Sequence, residues 1–273
     1  MKLLFLGDIV AKPGRTVVLE NLPRLRDQLK LDMVVANTEN AAHGFGLTGK
    51  ICDELFDAGI DVMTTGNHVY DKAEIIPYME QDGRVIRPDN YPAGAPGKGS
   101  VLYDSPSGHR VLVVNVMGRV FMEPLDNPFA SLDRLVPPGT PGDNGLDAVL
   151  VDVHAEATSE KYVVGHYCDG RASLVVGTHT HVPTADYQIL PGGTGYQTDA
   201  GMCGTYDSVI GMNKEDTVER SSGRIPKPRL TPAEGEATLC GVLVETDPKT
   251  GLALSISPLR VGGRLRAAWP EGV

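Results

Sequence analysis

The chain has 273 residues, 41% hydrophobic and 22% charged, enough for a sizeable core in one large domain or for a core with a smaller attachment. Its formal net charge of −10 removes any broad electrostatic attraction for nucleic acid, so stable binding of duplex DNA or RNA is not expected. No stretch approaches the roughly 18–20 apolar residues of a membrane span, and the opening apolar run, residues 2–6, is too short for a secretion signal. The four cysteines, Cys52, Cys168, Cys203 and Cys240, show no paired spacing, which suits reduced, buried thiols and a cytoplasmic setting.

Residues 3–6, 33–36 and 61–64 read as short buried strands, each leading into a polar turn. Between the first two, Val18, Leu22, Leu25 and Leu29 form an amphipathic stripe, in which Pro23 predicts a kink or two shorter helices. Thr48 is placed to cap a second helix carrying Ile51 and Leu55 inward, with Gly59 at its exit. Strand, helix and strand at this interval point to βαβ units and right-handed crossovers, and if all the apolar runs are parallel strands of one sheet their C-terminal ends lie along one edge. Residues 84–110 read as turns around a short strand near 100–103, and 111–116 as a continuous apolar strand. Five prolines make 118–145 largely loop, with one helical turn near 129–135. Strands follow at 148–153 and 174–176, separated by a helix over about 159–169. Residues 238–245 and 252–259, flanking Asp-Pro-Lys-Thr-Gly at 247–251, read as a hairpin.

The stretch 192–236 stands apart: glycine-rich at first, then polar and basic through Lys214, Arg220, Arg224, Lys227 and Arg229. It reads equally as a small cap over a cleft and as a long surface excursion. The expected organisation is a core over 1–191, an insertion over 192–236, and a return to the core over 237–273.

Polar clusters follow the apolar runs: Gly7-Asp8, Glu39-Asn40, Gly66-Asn67-His68, Asp152-Val153-His154 and Gly177-Thr178-His179-Thr180-His181. The C-terminal ends of parallel strands are where open α/β folds build their sites. Hydrolysis of a phosphodiester needs an activated water, neutralised phosphoryl oxygens and a protonated leaving oxygen, and two cations about 3.5–4 Å apart meet the first two needs together. Asp8, Glu39, Asn40, Asn67, His154, His179 and His181 offer the carboxylate, amide and imidazole donors for such a pair. Without a thiolate, the set suits two divalent or mixed-valence ions, iron or manganese first, with zinc open. His68, next to Asn67, has the near-neutral imidazole suited to protonating the leaving alkoxide. His43, His109 and His166 lie in a glycine turn, a Pro/Gly turn and a helix, and read as structural or surface residues.

These residues resemble the calcineurin-like metallophosphoesterases, most closely their YmdB-like branch, which includes 2′,3′-cyclic nucleotide phosphodiesterases. The similarity runs through Gly-Asp-Ile-Val at 7–10, Asn-Thr-Glu-Asn-Ala-Ala at 37–42, Gly-Asn-His at 66–68, Met-Gly-Arg-Val-Phe-Met at 117–122, residues 152–161 and Gly-Thr-His-Thr-His-Val at 177–182. It implies a layered α/β core with mostly parallel strands and a C-terminal hairpin. By the same resemblance, one metal takes Asp8, Glu39, Asn40 and His181, and the second takes Glu39, Asn67, His154 and His179, with Glu39 bridging. The wider superfamily has Asp-x-His at the first strand end; here Ile9-Val10 follows Asp8, and the carboxamide of Asn40 compensates. Val69 replaces the usual carboxylate after Gly-Asn-His, leaving Asp71 as the substitute partner for His68.

The resulting expectation is hydrolysis of a small phosphodiester, most closely a 2′,3′-cyclic nucleotide, by a bridging hydroxide with His68 as general acid. A homo-oligomer is left open. The alternative is a non-catalytic, metal-dependent nucleotide-binding regulator. A serine esterase would need its nucleophile just after the first Gly-Asp, where Ile9 stands.

Overall fold

The computed structural model describes residues 1–223 and 225–270. Arg224, one of the basic residues of the 192–236 stretch, lies outside the described residues. In chain order the strands are β1 (Lys2–Leu6), β2 (Asp8–Ile9), β3 (Met33–Asn37), β4 (Val62–Thr64), β5 (Ser100–Asp104), β6 (Arg110–Met117), β7 (Ala148–His154), β8 (Leu174–Thr178), β9 (Gln188–Ile189), β10 (Gly195–Gln197), β11 (Met202–Cys203), β12 (Leu239–Thr246) and β13 (Ala253–Val261). The helices are α1 (Ala11–Leu29), α2 (Gly49–Asp57), α3 (Ile75–Gln81), α4 (Pro128–Leu135), α5 (Thr158–Tyr167) and α6 (Lys214–Ser221).

The βαβ strands β1, β3 and β4 share one parallel sheet as expected, but the apolar runs taken together fall into two sheets rather than one. One has the order β13-β12-β1-β3-β4, the other β5-β6-β7-β8-β10-β9, and β2 pairs separately with β11. Strands β1, β3 and β4 are parallel, as are β6, β7, β8 and β10, while the β12–β13 hairpin joins β1 antiparallel. The reason for the difference is physical. A strand covered by a helix on one face and a sheet on the other is apolar on both faces, like one covered by two helices. Sequence periodicity cannot distinguish them.

Alternation along each strand defines four layers. Leu3, Phe5, Met33, Val35, Val62, Val111, Val113, Leu150, Leu174 and Val176 meet between the sheets. Leu4, Leu6, Val34 and Ala36 face Val18, Leu22, Leu25 and Leu29 of α1 and Leu55 of α2. Val114, Val116, Val149, Val151 and Val153 pack with Leu132 of α4 and Val164 of α5. The stripe expected of α1 is therefore its buried face, but the helix is uninterrupted through Pro23. Pro23 sits on the exposed side, where the carbonyl left without its N–H partner can meet water. Thr48 caps α2 as expected, its hydroxyl accepting from Ile51 N at 3.3 Å.

Within 192–236, β10 lies in the six-stranded sheet and β11 pairs with β2. Beyond them, α6 has no buried residue. No helix among the described residues is long and apolar enough to cross a membrane.

Gly7 is where the first strand passes under the 198–203 segment. A Cβ at Gly7 would stand 1.9 Å from the Gly201 carbonyl oxygen, whereas one at Gly83 would meet nothing within 4 Å. Gly7→Ala should therefore cost roughly 1–3 kcal/mol in urea unfolding. Gly83→Ala, as the matched control, should stay within about 0.5 kcal/mol of the parent.

Candidate metal centre

The inner face of each central strand changes character at one end. After Met33 and Val35 comes Asn37; after Val62, Thr64; after Val111 and Val113, Asn115. After Ala148 and Leu150 come Asp152 and His154, and after Leu174 and Val176 comes Thr178, all of them buried. The space between the sheets thus ends in a polar network centred on Asp152. Its carboxylate accepts from Thr64 Oγ1 at 2.5 Å, Thr178 Oγ1 at 2.7 Å and Asn37 Nδ2 at 3.2 Å. Burial pushes the Asp152 carboxyl up to about 6, against the pull of His154 and the two hydroxyls. Because the Thr178 hydroxyl donates to the carboxylate, it accepts from His154 Nδ1 at 2.9 Å. That hydrogen bond leaves His154 Nε2 as the lone-pair nitrogen, aimed away from the network.

Around His154 Nε2 stand Asn67 Oδ1 at 3.0 Å, Glu39 Oε1 at 3.1 Å and His179 Nδ1 at 3.1 Å. Glu39, His154 and His179 form a group able to hold a metal ion. A second gathering lies beside it, where His181 Nε2 is 3.5 Å from Asp8 Oδ1 and 3.2 Å from the Asn40 carboxamide. The Asn40 amide is in turn 3.4 Å from Glu39 Oε1, so Glu39 touches both gatherings. All seven predicted ligand residues are thus brought together, from the start of β2, the turns after β3 and β4, the end of β7 and the segment that follows β8.

Metal fits this arrangement on the chain's own terms. Asp8 Oδ1 is buried and has no hydrogen-bond partner among the described residues, an acceptor left for a cation. Burial would raise the Asp8 carboxyl, but His181 and His154 hold it well below the usual carboxylate range. The same attraction, with Ile210 O beside the ring, pushes His181 up to about 9 despite its burial. His179, buried next to His154, is pushed down to about 3. The two carboxylates draw protons onto neighbouring rings, and divalent cations would supply that positive charge in place of the protons.

His179 and His181 both have left-handed backbones, φ 91° and 63°, a conformation costly outside glycine. Thr180 between them is clamped. Its N and Oγ1 donate to Asp199 Oδ2 at 3.2 and 2.5 Å, and fully buried Lys161 donates to the same oxygen at 2.8 Å. Tyr206 Oη donates to His181 O at 3.1 Å, and His181 Nδ1 donates to Ile210 O at 2.8 Å, itself at φ 46°. Asp152, Thr178, Lys161, Asp199 and Ile210 carry no role in the sequence reading. Asp152 and Thr178 sit inside the clusters singled out there, and strand parity was the signal that could have placed them inward.

His68 lies at the rim, its side chain 28% exposed. Its backbone N donates to Glu39 Oε2 at 2.9 Å, and its Nδ1 pairs with Asp71 Oδ2 at 2.8 Å, with Phe45 edge-on to the ring. Asp71 is therefore the carboxylate partner that Val69 cannot be. His109 instead contacts Asp32 and Asp147, and His166 stacks on Tyr162. The four cysteines are free and buried. A cleft of about 360 Å³ opens beside the centre, lined by Asn67, Phe121, Met122, Glu123 and His179. A larger one of about 790 Å³, lined by Tyr187, Ile256 and Trp269 among others, contains none of the seven gathered residues.

The four-layered α/β fold is similar as a whole to two solved structures. The structure matches a hypothetical protein from Thermus thermophilus at TM-score 0.88 and 45% identity, covering 97% of this chain and all (100%) of that one. It matches a novel phosphatase from Mycoplasma pneumoniae at TM-score 0.87 and 32% identity, over 96% of this chain and 93% of that one. The sequence is 45% identical to the 2′,3′-cyclic-nucleotide 2′-phosphodiesterase of Bacillus subtilis over 261 residues, 96% of this chain and 97% of the relative. The model of the YmdB-like protein family matches residues 4–259, and the chain belongs to that family.

Two expected outcomes follow from the buried network. Thr178→Val removes the acceptor for His154 Nδ1 while keeping the shape, and should weaken Mn²⁺ binding about 10- to 100-fold in calorimetric titration. Lys161→Met strands the Asp199 carboxylate in the core and should cost about 3–5 kcal/mol in urea unfolding.

Proposed function

We propose that this phosphoric ester hydrolase opens the five-membered phosphate ring of a 2′,3′-cyclic nucleotide by adding water to phosphorus. The activity in the name of the Bacillus subtilis relative, at 45% identity over nearly the whole chain, supports the substrate class. The observation that carries the chemistry is the convergence of seven metal-competent side chains beside a histidine oriented by its own carboxylate. Asp8, Glu39, Asn40 and His181 would hold one cation, and Glu39, Asn67, His154 and His179 the other, with iron or manganese favoured by the O/N donors. Bound there, the cations would acidify water and neutralise phosphoryl oxygens.

The chain's own groups do the rest. Asp71 holds the His68 ring through Nδ1, which leaves Nε2 to hand a proton to the ribose oxygen as its bond to phosphorus breaks. The hydrogen bond from His68 N to Glu39 Oε2 couples the placement of that acid to the ligand cluster. Asn67 and His68, adjacent on one turn, place a proposed ligand and the proton donor side by side. Of the 192–236 stretch read as a cap, we propose that role, on the His181 side, for the described residues 204–223 and 225–236, supported by the hydrogen bond from His181 to Ile210.

His68→Ala should keep both metals by elemental analysis yet lower turnover of 2′,3′-cyclic AMP about 100- to 10,000-fold. Glu39→Ala should retain fewer than two metals per chain and lose activity. Undiminished turnover in either variant, or nucleotide that stays intact on the metal-loaded protein, would sink this reading and favour a binding regulator.

A further inference from the structure

The motif at 117–122, Met-Gly-Arg-Val-Phe-Met, has no part in the ligand cluster, yet its backbone is anchored along most of its length. Asn90 exchanges two hydrogen bonds with Met117, its Oδ1 accepting from Met117 N and its Nδ2 donating to Met117 O, both at 2.8 Å. Gly118 N donates to His154 O at 3.0 Å, tying the segment to a ligand strand. A Cβ at Gly118 would stand 2.3 Å from Glu160 Oε2 and 2.6 Å from Ala155 Cβ, so only glycine fits. The Glu160 carboxylate accepts from Arg119 N at 3.0 Å and from Val120 N at 3.2 Å. Met122 N then closes a turn onto Arg119 O at 3.3 Å.

The residue this scaffold presents is Phe121. Its backbone is left-handed, φ 61°, and the residue is 90% exposed. Folding therefore forfeits the burial of an aromatic ring and adopts a costly backbone in one place. The ring shares the 360 Å³ cleft with Asn67 and His179, two members of the ligand cluster, and with Met122 and Glu123. That volume falls within the range of small-molecule sites. Apolar Phe121 and Met122 suit a flat neutral group, and the Glu123 carboxylate disfavours a second phosphate there while offering an acceptor to an amino group. A nucleobase, one ribose away from a phosphate held at the metal centre, has these properties.

We infer that Phe121 is the platform on which the substrate's base stacks, so that this loop selects nucleoside-bearing cyclic phosphates. This rests on the cyclic-nucleotide reading of the centre, and the test separates the two. kcat/KM is measured for 2′,3′-cyclic AMP and for methyl riboside 2′,3′-cyclic phosphate, which lacks the base, on the parent, Phe121→Ala and Phe121→Tyr. The preference for the nucleotide should fall about tenfold in Phe121→Ala, through KM rather than kcat, and return in Phe121→Tyr. An unchanged preference in Phe121→Ala overturns the inference. Independently of hydrolysis, Phe121→Trp is titrated with adenosine 3′-monophosphate, with the parent as background for Trp269. Quenching specific to the variant supports the platform even if neither ester is turned over, which would instead sink the hydrolytic reading. Absence of quenching overturns the platform even if the enzyme is active.

Discussion

Two sheets packed face to face leave no room for bulk water between them, so each polar side chain aimed into that space must find its partners there. In this protein the inner positions are apolar for most of the strand length and polar only at one end. Asp152, buried in that polar end, is the hub. It takes hydrogen bonds from strands of both sheets, Asn37 and Thr64 on one side and Thr178 on the other. The same carboxylate thus joins the sheets and, through Thr178, sets the face that His154 turns to the site. Core packing and the orientation of His154 share one set of hydrogen bonds.

The last two histidines depend on a different device. A strand end alone would not hold His179 and His181 in left-handed backbone; the buried Lys161–Asp199 pair does so by gripping Thr180 between them. A buried ion pair is a weak source of net stability, because desolvation opposes it. Its use here is positional. The pair makes the strained conformation the one in which Asp199 is satisfied, and the two imidazoles then face neighbouring gatherings of donors. The surplus negative charge of Asp8 and Glu39, expressed as raised affinity of His181 and His154 for protons, is the electrostatic counterpart of that placement.

Much of this was legible in the residues. The clusters after the apolar runs held all seven residues that the structure gathers, and Val69 at the carboxylate position directed attention to Asp71, which pairs with His68. Pro23 misled because propensity does not report which face of a helix is wet. The single-sheet expectation failed because burial on both faces erases the period that would reveal a sheet as the second cover. Lys161 and Asp199 escaped notice because a buried ion pair between residues 38 apart has no local signature.

By itself the sequence determined the strands β1, β3–β8, β12 and β13 and the helices α1, α2, α4 and α5, the order of the donors along the chain, and membership of a family whose motifs recur from end to end. Those properties are written in local spacing and residue type. Only the tertiary structure decided that the donors come from the ends of two sheets, that Asp152 and Thr178 orient His154, and that Phe121 stands exposed beside the centre. Such facts depend on which distant surfaces meet, and contact between residues 88 or 141 apart is settled by packing rather than by any local pattern in the chain.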